Sequence, residues 1–335
     1  MNKKTYIDFK DLYGMDYFEE NIDVFSPIWH YTSVGGLTGI IKNEKKEYGK
    51  LHFWFTRSDC LNDPSEGEHI LKLFKKVCSD LLKEGTIKPS FYESIKCETI
   101  SKNQTVIFPI PNEEENISAS FITTVPCDAY ICSFSFEEDS LDMWRYYSKG
   151  NGGYGLEFSQ ELFDELKRYA LSFFSNNATF SMIRSFKVIY EDETKENILR
   201  NIIKDTFDAY ENSKLTKEQK DIQSKQFVEY ALKIFQFQFK DKCYKSEKEF
   251  RFVFYRPLKK PENLKNKLPD IKYREQNGIP VPYIEITVPN DRNCLQSILI
   301  SPFVDVKNSE NVVSYYLSQC GFTCKVTKST LPVRK

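Results

Sequence analysis

Phe250, Phe252 and Phe254 alternate with Glu249, Arg251 and Val253, and the alternation marks the clearest strand in the chain. A period of two sends the three phenylalanines to one face, the core face, and Glu249 and Arg251 to the other. Traced backward through the charged turn Cys243 to Lys248, the same period would add Glu247 to the polar face. A carboxylate beside a guanidinium on a central strand is costly unless the two are paired or used. Either an ion pair pins this strand, or a site is built on it.

Other segments show strand or helix patterns in turn. Residues 1–26 carry Tyr6, Phe9, Tyr13, Tyr17 and Phe18 at spacings that suggest one or two short helices. Pro27 to Thr32 reads as a strand, Ser33 as an N-cap and Val34 to Ile41 as the helix it starts. Leu51 to Thr56 is a second strand, apolar on both faces. The polar run Arg57 to Glu68 is a turn and helix start. Helical spacing covers 69–84 and 90–103, with a short helix near 114–124 after Pro109 and Pro111. Tyr130 to Phe136 is a strand and Glu137 to Tyr147 a helix. A glycine cluster, Gly150 to Gly155, then leads into a strand ending at Phe158. Residues 159–174 are helical and 182–190 a strand. Two long polar helices follow at 193–212 and 216–240. Residues 257–281 form a Lys/Pro-rich connector. Tyr283 to Val288 and Ser297 to Ile300 are strands, 308–320 a helix, and Phe322 to Val326 a last strand.

The strands are short and the helical stretches between them unequal, with no βα period and no repeat. That predicts an α+β fold with a central mixed or antiparallel sheet and helical insertions, rather than a doubly wound sheet. No linker divides the chain. It reads as one elaborated domain over 1–335, with an N-terminal helical extension at 1–26 and helical insertions at 66–124 and 193–242.

Composition narrows the function classes. The 335 residues carry 47 basic against 48 acidic side chains, so no global field draws in nucleic acid or a membrane. With 27 Phe, 20 Tyr and 3 Trp the chain should have a well-packed interior. Nine cysteines without a CxxC, beside only three histidines, argue against a structural zinc site. No secretory h-region follows Met1-Asn2-Lys3-Lys4, and no run of about 18 apolar residues occurs. A cytoplasmic protein with reduced thiols is expected.

Four further groups are candidates for chemistry. His30 shares a strand face with Ile28 and Thr32, opposite Trp29 and Tyr31, and could hold a polar ligand or be a satisfied structural histidine. Asn62-Asp63-Pro64 with Glu66 and Glu68 could grip a ligand or form an Asx-turn and cap. His69 adjoins this cluster without H-E-x-x-H spacing, so no metal is assigned. Ser133 and Ser135 share a strand face with Ile131, and Trp144 and Tyr147 share a helix face where they could stack on a base or pack in the core. The glycine cluster lacks the Gly-Lys-Ser/Thr of a P-loop and reads as a loop connection.

Taken in order, His30-Tyr31-Thr32-Ser33, Asn62-Asp63-Pro64 with Glu66, Cys132-Ser133-Phe134-Ser135, Met143-Trp144 with Tyr147, Gly155-Leu156-Glu157-Phe158, Glu247 to Arg251, and Lys328-Ser329 with Arg334 resemble a bacterial domain-of-unknown-function family, number twenty-nine seventy-one. The resemblance covers residues 27–335. Tyr244 stands where that family usually has Trp, and Ser301-Pro302 where a Gly is common; neither removes an ionisable group.

A more distant similarity is to ADP-ribosyltransferases, which carry His or Arg with a hydroxyl residue on a first strand and a catalytic Glu on a late one. That resemblance implies a split sheet, NAD as substrate, and a toxin or antiphage effector acting on a nucleic-acid or protein acceptor, with an antitoxin or defence-system partner. Glu249, or Glu247, would be the catalytic acid, and His30 a further catalytic residue. His30, Tyr31, Thr32, Phe55, Arg57, Asn62, Asp63, Ser133, Trp144, Tyr147 and Arg251 would bind the dinucleotide. A carboxylate holding a ribose hydroxyl would stabilise the oxocarbenium-like ribose, and Arg57 or Arg251 would neutralise pyrophosphate.

Two competing expectations stand beside it. One is a divalent-metal nuclease using Asp63, Glu66, Glu68, Glu247 and Glu249. The other is a non-catalytic module that binds a nucleotide or partner.

Overall fold

The computed structural model describes residues 9, 11–15, 26–61, 68–100, 104–109, 122–148, 152–173, 182–259, 266–276 and 278–333. The strands among them are β1 (Ile28–Thr32), β2 (Lys50–Arg57), β3 (Gln104–Pro109), β4 (Ile122–Ser135), β5 (Tyr154–Phe158), β6 (Ile183–Lys187), β7 (Glu249–Pro257), β8 (Ile271–Gln276), β9 (Ile279–Pro289), β10 (Leu295–Ile300) and β11 (Lys325–Lys328). The helices are α1 (Val34–Ile40), α2 (Glu68–Lys83), α3 (Pro89–Ile95), α4 (Leu141–Tyr147), α5 (Glu161–Leu171), α6 (Asp192–Asn212), α7 (Lys217–Phe235) and α8 (Ser309–Gln319). The architecture is mixed α/β with one large mixed sheet. The chain divides into two compact units, the first formed by Met1–Asn21, Asn62–Val106 and Val188–Lys245, the second by Ile22–Leu61, Ile107–Lys187 and Ser246–Lys335. Among the described residues no helix is long and apolar enough to cross a membrane.

The first unit is helical. Ile70, Leu73, Phe74, Val77 and Leu81 recur at three- and four-residue spacing along α2 and so line one face. They cluster with Leu199, Ile202 and Ile203 of α6 and with Phe227, Ala231, Leu232 and Phe235 of α7. A capping box starts α7: the Thr216 side chain accepts from the Gln219 N–H while the Gln219 side chain accepts from the Thr216 N–H.

The second unit holds the sheet, and β4 is its branch point. One edge of β4 pairs with β7 along the whole length of β7, from Cys127 opposite Pro257 to Ser135 opposite Glu249. Its other edge is shared: β1 attaches at Ser135 through Trp29, and β2 attaches at Ile131 and Tyr130 through Thr56 and Arg57. Beyond β1 lie β5, β10 and β11; beyond β2 lie β9 and β8. β1 with β4 and β5, β2 with β4 and β9, β4 with β7, β6 with β7, β8 with β9 and β5 with β10 pair antiparallel, and β10 pairs with β11 in parallel. The alternation in β7 is realised as the sequence implies. Phe250, Phe252 and Phe254 bury into a core with Phe134, Phe158 and the α5 residues Leu162, Phe163 and Leu166, each contributing roughly 1.5–3 kcal/mol.

A smaller cluster forms where Trp144 of α4 meets Trp29, Tyr31 and Leu299. Ser140 caps α4 by accepting from the Met143 N–H. The glycine-rich approach to β5 has a steric explanation. A Cβ on Gly153 would lie 2.4 Å from Ser148 Cβ and 2.5 Å from the Thr32 carbonyl oxygen, and one on Gly155 3.3 Å from the Trp144 ring.

Several boundaries differ from the sequence reading. The helix expected over 90–103 is α3 and stops at Ile95. The helix expected near 114–124 is overturned at its end, where residues 122–124 already belong to β4; residues 110–121 lie outside the described residues. The connector at 257–281 contains β8, which forms a hairpin with β9 from Gln276 opposite Ile279 to Ile271 opposite Ile284. The helix expected through residue 240 ends at Phe235.

Candidate functional site

Antiparallel register and alternation together assemble the site on the polar face of β4 and β7. Ser133 stands opposite Arg251 and Ser135 opposite Glu249. Directly opposed residues share a face, as do residues two apart, so four polar side chains meet there. Glu249 and Arg251 form a bidentate pair, Nε to Oε1 at 2.7 Å and Nη2 to Oε2 at 3.0 Å. Both are buried, Arg251 at 2% and Glu249 at 4% of their exposed areas. Burial makes the pairing obligatory, because either charge alone would be stranded in a poor solvent.

Glu247 reaches this face by a route other than the strand. The strand begins at Glu249, and Glu247 lies in a 3-10 turn. Between them Lys248 has φ of 40°, in the left-handed region. That kink is held on both sides: the Phe136 N–H donates to the Lys248 carbonyl at 3.0 Å, and the Lys248 ammonium pairs with Glu137. The Ser135 hydroxyl donates to the Glu247 carbonyl at 2.6 Å and accepts from the Glu137 N–H at 3.0 Å. The Glu247 carboxylate then accepts from the Tyr147 hydroxyl at 3.4 Å. Burial pushes the Tyr147 phenol far above its ordinary value, and the Glu247 and Glu249 charges push it further against the pull of Arg251. At neutral pH it is a donor.

His30 meets the same stretch of β4 from β1. Its ring lies 5.3 Å from that of Phe134, on the phenylalanine side of the strand, and its Nδ1 sits 2.9 Å from the Ser133 carbonyl oxygen. That carbonyl falls between the attachment points of β1 and β2. A carbonyl only accepts, so Nδ1 carries the proton and Nε2 presents its lone pair. Burial, offset in part by this bond and reinforced by the Arg274 charge, lowers the His30 pKa and keeps the ring neutral.

The remaining expected residues have other partners. The Tyr31 hydroxyl lies 2.8 and 2.7 Å from the carbonyls of Glu137 and Glu138 and accepts from the Ser140 N–H. Trp144 is fully buried and donates from Nε1 to Asp139 at 2.6 Å. Thr32 is half-buried, its hydroxyl against Gly36. Phe55 is in the core. Arg57 is held by Asp59 at 2.6 and 3.0 Å, and that hydrogen bond raises its pKa. Asn62, Asp63 and Glu66, and the side chain of Glu68, lie outside the described residues. Among the described residues no three His, Cys, Asp or Glu side chains are placed to hold a metal ion. The geometry therefore gathers Ser133, Tyr147, Glu247, Glu249 and Arg251 on one face, with His30 at the adjoining backbone. Phe55, Arg57, Tyr31 and Trp144 serve packing or local pairs.

Sequence reasoning passed over a second polar group on the sheet. Trp54 pairs with Glu285, Thr56 with Tyr283, and Tyr283 with Lys272, which puts all of them on one face with Arg274. The signal was available: Asn277-Gly278 between two alternating stretches is a hairpin dipeptide.

No curated protein and no solved structure matches the chain. Residues 143–252, which carry Tyr147, Glu247, Glu249 and Arg251, match the model of a family described as protein of unknown function (DUF2971).

Proposed function

We propose that the chain is an ADP-ribosyltransferase-like enzyme that cleaves the nicotinamide–ribose bond of NAD and passes the ADP-ribosyl group to a nucleic-acid or protein acceptor. The observation that carries the reading is two buried carboxylates that both act on Tyr147, Glu247 accepting from its phenol and Glu249 held by the Arg251 guanidinium. Carboxylates so held can grip ribose hydroxyls and stabilise the positive charge that develops at the anomeric carbon. In this reading Glu247, which accepts from Tyr147, meets the ribose, and Glu249, paired with Arg251, is a positioning residue. In the reaction the C1′–nitrogen bond breaks and its electron pair leaves with neutral nicotinamide. A heteroatom of the acceptor bonds to C1′ and its proton passes to solvent.

The test is nicotinamide release from NAD by purified protein, alone and with RNA, DNA or cell lysate. Release by the parent, at least about a hundredfold lower in Glu247→Gln and less reduced in Tyr147→Phe, supports the assignment. A dependence on one acceptor identifies its class, and release without any acceptor makes the enzyme a glycohydrolase. Absence of release in every arm sinks the reading, and nuclease activity lost on chelation would replace it with the metal-dependent one.

A further inference from the structure

We infer that Arg274 and Thr56 form a binding subsite for a phosphate-class oxyanion on the face of β2, β9 and β8. The Arg274 guanidinium reaches from the edge strand β8 across β9, where Nη2 donates to Thr56 Oγ1 at 2.9 Å and to Gln276 Oε1 at 3.3 Å. It lies 5.6 Å from the ring centre of Trp54 and 5.8 Å from that of Tyr283, two rings that are themselves 5.0 Å apart. These distances are within cation–π range, which favours a guanidinium at this place.

Among the described residues this arginine has no carboxylate within salt-bridge distance for a countercharge, and both its hydrogen-bond acceptors are neutral. The carboxylate on this face, Glu285, is already taken. Lys42 approaches it at 2.8 Å and Lys272 at 3.3 Å, Trp54 Nε1 donates to it at 3.2 Å, and His52 Nδ1 lies 3.4 Å away. The His52 contact and the two lysines hold its pKa well below the carboxylate range. One carboxylate thus faces two lysines and an arginine.

Burial, offset in part by Cys132 and Tyr283, lowers the Arg274 pKa, a folding cost that an external anion would relieve. Nε–H and both Nη1–H groups have no partner among the described residues, and Thr56, whose oxygen accepts from Arg274, keeps its own O–H to donate. Three guanidinium donors and a hydroxyl, half-buried beside two aromatic rings, match the oxygens of a phosphate or pyrophosphate.

The experiment titrates the full chain at constant ionic strength with inorganic phosphate, inorganic pyrophosphate and adenosine diphosphate, against chloride. Calorimetry gives the affinity. Because the chain has only three histidines, nuclear magnetic resonance can follow the pKa of His30, which senses the Arg274 charge. The expected result is saturable binding in the millimolar range or tighter, weakened by about tenfold or more in Arg274→Gln and by a smaller factor in Thr56→Val. Binding should raise the His30 pKa, and Arg274→Gln should raise it without ligand. Stronger binding of adenosine diphosphate than of pyrophosphate would mark a nucleotide as the source; equal binding would mark a free oxyanion. The inference is overturned if the parent binds none of the three, or if Arg274→Gln and Thr56→Val bind as the parent does.

Discussion

Replacing Arg251 by Met removes its Nε and Nη2 hydrogen bonds to Glu249, a carboxylate 4% exposed on β7 opposite Ser135 of β4. Breaking a buried pair from one side costs about 3–5 kcal/mol, because the remaining carboxylate loses both guanidinium bonds while it stays buried. Two charge-assisted bonds at about 1.5–3 kcal/mol each reach the same range. A chain stable by about 5–15 kcal/mol would lose a large share of its margin. Glu249→Leu in the same background removes the buried charge as well, so the double variant should recover part of the loss, with a coupling of about 2–3 kcal/mol. Urea denaturation followed by tryptophan fluorescence is the assay, because Trp29, Trp54 and Trp144 all lie in the unit that holds the pair. A loss below about 1 kcal/mol in Arg251→Met, or single losses that simply add, would refute the claim that this pair organises the site.

Two further outcomes follow from the same unit. His30 has a folded pKa below its ordinary 6.5. The stability its neutral form contributes is therefore present above pH 6.5 and falls as pH drops through that value toward the folded pKa, where the unfolded chain takes the proton first. His30→Gln should flatten the fall; a parent slope unchanged by the substitution would contradict the assignment. His69, whose pKa is also lowered by burial, belongs to the other unit and is the control. Gly153→Ala should cost about 1–3 kcal/mol by overpacking, since its new methyl meets Ser148 and the Thr32 carbonyl. A neutral result in the same denaturation series would show that this approach to β5 yields easily.

The elements legible in the sequence are those whose pattern reports burial. The alternating phenylalanines of β7, the Ser33 cap and the apolar stripes of α2 and α7 announce themselves because a core demands one face at a fixed period. What stayed hidden was backbone geometry that burial does not enforce. The edge strand β8 exposes Ile271, Lys272, Tyr273 and Glu275, so its composition reads as a solvated connector, and only the Asn-Gly dipeptide after it betrays the hairpin. The N-terminal part of β4 carries Thr123, Thr124 and Val125, β-branched residues that favour a strand, but the neighbouring prolines and acidic run obscured them.

The candidate site was half legible for a related reason. Glu249 and Arg251 are two apart on a strand, and period two alone places them together. Glu247 does not follow from that period, because the strand ends before it; the left-handed Lys248 turns it back toward Tyr147. No side-chain pattern announces a lysine in that conformation, which local bonds from Phe136 and Glu137 hold in place. Tyr147 in turn was visible only as one of two aromatics three apart on α4. The structure gives them opposite employment, Trp144 sealed in the core and Tyr147 hydrogen-bonded to a carboxylate. Arg274 lies further still from what pattern can show, since its meaning depends on which acids surround it in space. Charges along this chain nearly cancel, and the sites argued for arise where folding separates them: carboxylates concentrated on the β4–β7 face, cations on the β2–β9–β8 face.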